Sequence, residues 1–239
     1  MFMQAFYRMP KYFELIMRPH VNLEREITFL DSVLRKRKAR TVLDVACGVG
    51  RHSAALAKIG YDTTGVDYSK HQIAFARKKA KREGIRSKFF VQNANELSLN
   101  KKFDAAICMW STLCEEPMDY SVVLRRVYEH LKKGGVFIFD IRFLENKKKD
   151  HFFKKTFTNG KDKLSAYIHT RYTQNFRIQN IVFTVNGKKI PDVAVHYILT
   201  RGEWKRELKK AGFRNVEIFY DYKKRKLKKP DRIQFVAIK

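Results

Sequence analysis

The sequence contains few cysteines and lacks the common metal and phosphate motifs. Three cysteines, Cys47, Cys108 and Cys114, lie in or beside apolar runs, and none of them forms a C-x-x-C pair. Neither a disulfide framework nor a zinc site is therefore expected. H-E-x-x-H and P-loop patterns are also missing, so the sequence predicts no metal site.

Long apolar runs are absent as well. No run of about 18 apolar residues is present, so we expect no membrane-spanning segment. The apolar segment 1–17 is interrupted by charged residues and proline, and it does not have the layout of a signal peptide. These features, with the few cysteines, predict a cytoplasmic protein that does not contact membranes.

Acidic side chains are scarce. The 239 residues include 24 Asp and Glu against 51 Lys and Arg, which gives a formal net charge of +27 at pH 7. Such a field attracts polyanions and speeds their encounter with the protein. Basic runs at 35–38, 77–82 and 223–229 are spread along the chain, so a nucleic-acid partner and a basic surface kept for solubility are both compatible with the charge.

Strand and helix signals alternate through the first half of the chain. Apolar, β-branched runs predict strands at 41–46, 61–67, 87–92, 103–110 and 136–141. Helical spacing with caps and glycine stops predicts helices at 51–60, 69–84 and 119–135. This alternation indicates an α/β fold with a doubly wound parallel sheet.

The pattern changes between residues 142 and 199. Aromatic and β-branched residues recur there at period two, and Asn186-Gly187 is a strong two-residue hairpin signal. We therefore expect an antiparallel β insert. A helix over 200–213 follows it, and the remaining residues predict a closing pair of strands.

The run DVACGVG, between the first strand and its helix, predicts a ligand site. Gly48 and Gly50 let a ligand approach the main chain, and the following helix offers free N–H groups. The third glycine of a dinucleotide fingerprint is replaced by Ser53. Asp44 suits a ligand that carries an ammonium group, and Asp67, at the end of the second strand, can accept hydrogen bonds from ribose hydroxyls.

Five blocks in this order, VLDVACGVG, GVDYS, NANEL, FDAAICMWST and LKKGGVFIFD, resemble the class I S-adenosylmethionine-dependent methyltransferases. The resemblance runs from residue 40 to the C-terminus. It implies a seven-stranded mixed sheet, mostly parallel with the last strand antiparallel. It also implies S-adenosylmethionine as cofactor, with S-adenosylhomocysteine as product.

The resemblance assigns roles to the residues of the first two blocks. Asp44 would orient the methionine amino group, and the main chain at Ala46 and Gly48 would line the amino-acid end. Asp67 would hold the ribose, and Tyr68 would pack on the adenine. Two alternatives stay open: Asp44 as a cap for the glycine turn, and Tyr68 as a packing residue at the start of the helix.

The later blocks complete the predicted cofactor site. Asn93 stands where the family often has an acid that accepts from the adenine amino group, and its amide oxygen can still accept that bond. Ala94 would add its main-chain N–H. Met109, Trp110 and Ser111 would lie beside the sulfonium and at the substrate entrance, although Trp110 is also compatible with a plain core position.

The segment before the first strand resembles the lid of many such enzymes. Tyr7 and Tyr12 would close over the cofactor, or the segment would be an amphipathic helix packed on the sheet. The predicted domains are a lid at 1–40, a cofactor-binding core at 41–141 and 200–239, and an insert at 142–199 that serves as substrate cover or dimer contact.

The sequence leaves two classes of methyl acceptor open. The style of the glycine loop and the β insert favour a small molecule, whereas the charge favours RNA, either tRNA or rRNA. A non-catalytic nucleic-acid-binding protein with the same fold is a further alternative. Glu115, Glu116, His151 and His169 are candidate bases near the predicted mouth, but no catalytic residue is assigned, and the oligomeric state is left open.

Overall fold

The computed structural model describes residues 4–17, 22–143, 149–159, 162–225, 227 and 230–239. Lys228 and Lys229 of the third basic run lie outside the described residues. The helices are α1 Gln4–Tyr7, α2 Pro10–Met17, α3 Leu23–Lys36, α4 Arg51–Lys58, α5 Lys70–Arg82, α6 Tyr120–His130 and α7 Arg201–Lys210. The strands are β1 Thr41–Val45, β2 Asp62–Asp67, β3 Ser87–Val91, β4 Phe103–Cys108, β5 Leu131–Arg142, β6 His151–Asn159, β7 Asp162–Tyr172, β8 Phe176–Val185, β9 Lys188–Tyr197, β10 Arg214–Tyr220 and β11 Arg232–Ile238.

Seven strands form the main sheet, in the order β10-β11-β5-β4-β1-β2-β3. Strand β11 is antiparallel to both of its neighbours, and the other strands run parallel to one another. The expected mixed sheet with an antiparallel last strand is thus confirmed. Strand β1 pairs with β2 on one side and β4 on the other, so the strand order reverses at its carboxyl end.

Helices cover the main sheet on both faces. Helices α6 and α7 bury Leu124 and Trp204 on one face, whereas α3 and α4 bury Leu30 and Leu56 on the other. This explains why β4 is almost continuously apolar, because both faces of a central parallel strand are buried. The doubly wound arrangement is confirmed.

The helix predicted at 119–135 is shorter in the structure. It ends at His130, and β5 begins at Leu131, which pairs with Phe103. The register between β4 and β5 then shifts before Val136, so the predicted glycine stop at 134–135 is an irregularity within the strand. The prediction was wrong because the pairing with Phe103 is a tertiary contact that no local signal marks.

The predicted antiparallel insert is confirmed as a separate four-stranded sheet, the insert sheet, in the order β6-β7-β8-β9. Asn186 and Gly187 form the turn between β8 and β9. Helices α1 and α2 pack on this sheet, where the ring of Phe6 stacks on Phe183 at a centroid distance of 4.9 Å. Helix α3 packs instead on the main sheet, so the 1–40 segment is divided between the two sheets.

None of the helices in the described part of the chain is long and apolar enough to cross a membrane.

Candidate functional site

A cavity of about 930 Å³ lies between the carboxyl ends of β1 and β4 and one face of the insert sheet. We call that face, which carries Thr170, Arg177 and Ile181, the inner face. Of the residues predicted to bind cofactor or substrate, those that line the cavity are Tyr7, Asp44, Ala46, Gly48, Met109, Trp110 and Ser111. Those that are not among its lining residues are Tyr12, Gly50, Asp67, Tyr68, Asn93 and Ala94.

Asp44 is a buried carboxylate in β1 whose side chain contacts the first turn of helix α4. Its Oδ2 accepts hydrogen bonds from the main-chain N of Ser53 at 3.1 Å and from the Ser53 hydroxyl at 2.6 Å. Burial raises the pKa of Asp44. The side chain therefore holds the first turn of α4 and also faces the cavity, which places a carboxylate where an ammonium group could approach.

Asp67 ties the glycine loop to the end of β2. Its Oδ2 accepts from the main-chain N of Gly48 at 2.9 Å, and its Oδ1 accepts from the main-chain N of Ser69 at 2.8 Å. Burial raises the pKa of Asp67 to about 6. A carboxylate oxygen has two acceptor sites, so each oxygen keeps capacity for a hydroxyl donor.

The two glycines of the loop differ in what surrounds them. A Cβ on Gly48 would lie 3.8 Å from Gln72 Oε1 and 3.9 Å from Phe13 Cε1, so this position is open towards α2 and the cavity. A Cβ on Gly50 would lie 2.6 Å from Phe89 Cε1. Glycine at position 50 is therefore required by internal packing, and the open main chain is at Gly48.

The residues predicted around the adenine lie beyond β2 and β3. Tyr68 is 38% exposed. Its ring packs edge-to-face with the ring of Tyr7, with the two centroids 5.9 Å apart. Asn93 is exposed, and its Oδ1 accepts from the main-chain N of Asn95 at 3.0 Å. Ala94 is buried beside it. The Asn93 oxygen therefore has one remaining acceptor site.

Helix α1 is hydrogen-bonded to the start of α5. The carbonyl of Tyr7 accepts from Ser69 Oγ at 3.0 Å and from Gln72 Nε2 at 3.1 Å. Tyr12 packs with the apolar cluster on the inner face of the insert sheet. The N-terminal helices thus lie across the cofactor end of the cavity, as a cover would.

A cluster that the sequence did not reveal surrounds Trp110. Its Nε1 donates to Glu26 Oε1 at 2.9 Å, and Glu26 Oε2 lies 2.7 Å from His52 Nε2. The guanidinium carbons of Arg51 and Arg232 lie 4.6 and 4.8 Å from the ring centroid. Trp110 is therefore a fixed part of the cavity wall.

Ser111 belongs to a second buried network. Trp110 and Ser111 have positive φ angles of 71° and 62°. Both main-chain N–H groups donate to the carboxylate of Asp140, which also pairs with Arg232. Ser111 Oγ accepts from the main-chain N of Arg142 at 2.7 Å and from Arg232 at 3.1 Å. The hydroxyl thus stabilises the loop that forms one wall of the cavity.

The structure separates the four candidate bases. Glu115 and His151 line the cavity. Glu116 does not line it and accepts a hydrogen bond from the Tyr197 hydroxyl at 2.9 Å. His169 belongs to the outer face of the insert sheet, because alternate residues of β7 line the cavity.

Glu115 joins α1 to the insert sheet. Its Oε1 accepts from the Tyr7 hydroxyl at 2.6 Å, and its Oε2 lies 3.5 Å from His196 Nε2. Burial and the nearby Arg177 lower the pKa of His196. Sequence reasoning missed His196 and Arg177, although the period-two alternation of β8 and β9 was visible.

Within the described residues, no group of three or more His, Cys, Asp or Glu side chains is arranged to hold a metal ion. The cavity edge fits S-adenosylmethionine, because buried carboxylates and an open glycine lie together where the strand order reverses. Asp44 and Asp67 would hold its ammonium and ribose groups, and Gly48 would leave room for its amino-acid end.

Comparison with known proteins agrees with this geometry. A family model described as a methyltransferase domain matches residues 42–135. A protein of Geobacillus sp. (strain WCH70) whose name describes it as a methyltransferase is 30% identical over 197 residues, which cover 78% of this chain and 79% of that protein.

Solved structures share the fold over nearly the whole chain. An S-adenosylmethionine-dependent methyltransferase from Clostridium acetobutylicum ATCC 824 superposes with a TM-score of 0.81 at 20% identity, and covers 98% of this chain and 99% of its own. The sugar N-methyltransferase KedS8 from Streptoalloteichus sp. ATCC 53650 gives 0.80 at 21% identity, with 95% and 92% covered. The chain therefore belongs to the class I S-adenosylmethionine-dependent methyltransferases, which are enzymes with S-adenosylmethionine as their cofactor.

Proposed function

We propose that this methyltransferase acts on a small-molecule acceptor held between the insert sheet and the carboxyl ends of the main sheet. The observation that carries the proposal is the cover over the cavity. The inner face of the insert sheet lies above the glycine loop, and α1 spans the gap between them through Tyr7. An acceptor that reaches the methyl group must enter this space.

The size of the space also supports a small acceptor. About 930 Å³ must hold both the cofactor and the acceptor, and pockets for small ligands fall in this range. KedS8, which has the same fold, is named for a sugar acceptor. A sugar-sized molecule would fit the part of the cavity under the inner face.

Two of the three basic runs lie away from the cavity. The run at 35–38 spans the end of α3 just before β1 begins, and the run at 77–82 ends α5 before β3 begins. Both are thus near the amino ends of the strands, opposite the glycine loop. The described part of the third run, in the loop between β10 and β11, is closer, because Asp221 and Tyr222 of that loop line the cavity.

The chain's own residues would position the reactants and exclude water. The cofactor supplies a methyl group on a cationic sulfur, so the acceptor mainly needs alignment and, if it is protonated, a base. Trp110 is fixed in the wall, and helices α1 and α2 cover the cofactor end. Glu115, which lines the cavity, is the carboxylate that we propose as the base for a protonated acceptor.

The proposal is tested with methyl-labelled S-adenosylmethionine and a cell extract divided into low-molecular-mass and RNA fractions. We expect label in the low-molecular-mass fraction. Asp67→Asn should lose this activity, whereas Asp62→Asn, at the exposed start of the same strand, should retain it. Label in neither fraction would contradict the proposal.

Label in the RNA fraction would favour the alternative acceptor. In that case Lys223→Ala and Lys224→Ala should weaken binding of bulk tRNA, and the affinity should fall steeply as salt is raised. Both lysines are exposed, so their substitution should leave the fold intact. Weak tRNA binding that these substitutions do not change would leave the charge as a surface property.

A further inference from the structure

We infer that the methyl acceptor carries an anionic group, a carboxylate or a phosphate, and that Arg177 on the inner face of the insert sheet binds it. This inference rests on the proposed small-molecule acceptor and names its chemical class.

Arg177 is a buried cation without a partner. It lies in β8, lines the cavity and is only 9% exposed. Its Nε is buried and has no hydrogen-bond partner, and no ion pair to its guanidinium is found among the described residues. A buried charge is costly unless it is paired, so this arrangement calls for an anion from outside the chain.

The neighbours of Arg177 do not supply that anion. His196 lies directly opposite on β9, and its Nδ1 is also buried without a partner. The charge of Glu115 raises the pKa of Arg177, but its oxygens contact the Tyr7 hydroxyl and His196 Nε2 and form no ion pair with the guanidinium among the described residues. Gln179, two residues along β8, donates its amide to Thr170 at 3.2 Å.

A second cation strengthens the positive charge at this end of the cavity. Arg142, the last residue of β5, lines the same cavity; it is exposed, and its Nε lies 3.9 Å from Asp231 Oδ1. Burial and the charge of Arg142 lower the pKa of Arg177, and the charges of Tyr172 and Glu115 offset only part of this effect. The unpartnered Arg177 Nε and His196 Nδ1, with Arg142 adding positive charge nearby, form a site for one anion.

The guanidinium of Arg177 favours a carboxylate or a phosphate as the anion. A guanidinium presents its N–H donors in a planar fork that matches two oxygens of either anion. The inner face changes from these polar residues to Ile181 and Phe183 further along β8. The acceptor would therefore be bound by its anion at one end, with its remaining part against the apolar half.

The first test measures anion binding directly. The protein is saturated with S-adenosylhomocysteine, so that the cofactor's own carboxylate site is filled, and inorganic phosphate is titrated at constant ionic strength with ³¹P line width as readout. Arg177→Gln should weaken phosphate binding about 10- to 100-fold, the factor for a charge-assisted hydrogen bond. The matched control is Arg171→Gln, an exposed arginine on the outer face of the same sheet.

Two results of the phosphate titration would overturn the inference. Equal phosphate affinity in the wild type and Arg177→Gln, or an equal loss in Arg171→Gln, would overturn the inference. If Arg177→Gln does not fold, Arg177→Lys keeps the charge and loses the fork. It should then show a partial loss of phosphate affinity, with the affinity for S-adenosylhomocysteine unchanged. No change in phosphate affinity in this variant would also overturn the inference.

The second test concerns the acceptor itself. The low-molecular-mass extract is passed over an anion exchanger, and both fractions are offered with labelled S-adenosylmethionine. Methyl-accepting material should be in the retained fraction, and its presence only in the flow-through would refute an anionic acceptor. If neither fraction accepts label, the proposed function fails, and the phosphate titration alone decides whether the anion site exists.

Discussion

Removal of the Asp140 carboxylate should destabilise the protein strongly. Asp140 is fully buried in β5, where it pairs with Arg232 and accepts from the main-chain N–H groups of Trp110 and Ser111. Burial alone would lower the pKa of Arg232, but the Asp140 carboxylate raises it above its ordinary value. Asp140→Ala would leave that buried cation unpaired.

The expected loss follows from this geometry. Breaking a buried ion pair by removing one partner costs about 3–5 kcal/mol. For a chain of this size each kcal/mol lowers the melting temperature by about 2–4 °C, so Asp140→Ala should melt roughly 6–20 °C lower. Urea unfolding and a thermal scan would both measure it. Arg35→Ala, which removes a cation from an exposed pair, should change little.

A double variant separates the ion pair from the loop. In Asp140→Ala/Arg232→Met the unpaired cation is gone, so about 2 kcal/mol of the loss should be recovered. About 1–3 kcal/mol should remain, because the Trp110 N–H still lacks its acceptor, whereas the Ser111 N–H keeps the main-chain carbonyl of Asp140 at 3.2 Å. The reasoning is refuted if the double variant is no more stable than the single one, or if the single variant loses less than about 1 kcal/mol.

The affinity for S-adenosylhomocysteine should fall as the pH is lowered through about 6, because protonation of Asp67 removes acceptors for the ribose. Calorimetry between pH 5 and 8 would check this. Burial also raises the pKa of Asp44, so the affinity of Asp67→Asn should keep only the pH dependence that Asp44 contributes. A pH dependence as large as that of the wild type in this variant would count against the assignment to Asp67. Gly50→Ala should destabilise the fold more than Gly84→Ala, since both glycines have positive φ but only the first would place a Cβ against Phe89. The difference should be about 1–3 kcal/mol by urea unfolding, and equal losses would contradict the packing role of Gly50.

Local signals predicted most of the secondary structure. Ser69 caps α5 through the main-chain N of Gln72, and Thr200 and Glu203 form a capping box at α7. The Asn186-Gly187 turn also formed where the dipeptide predicted it. These features depend on neighbouring residues, so the sequence alone could predict them.

The walls of the cavity depend on contacts between distant segments. Trp110 and Glu26 are 84 residues apart in sequence, and Tyr7 and Glu115 are 108 apart. The period-two alternation of β8 could assign Arg177 to one face of the strand. It could not show that this face points at the glycine loop. The residues predicted for the cofactor lie in short contiguous blocks that a resemblance can name, whereas the opposite wall of the cavity is assembled only by folding.

The packing of α1 against the insert sheet bears on how acceptor specificity could be exchanged between related enzymes. Phe6 stacks on Phe183, and its main-chain N donates to the buried Asp192 at 2.9 Å. A chimera that receives only the insert would meet a foreign N-terminal segment and lose these contacts. Transplantation of residues 4–17 together with the insert keeps both sides of this apolar contact. A chimera between relatives should therefore fold when both segments come from the same parent.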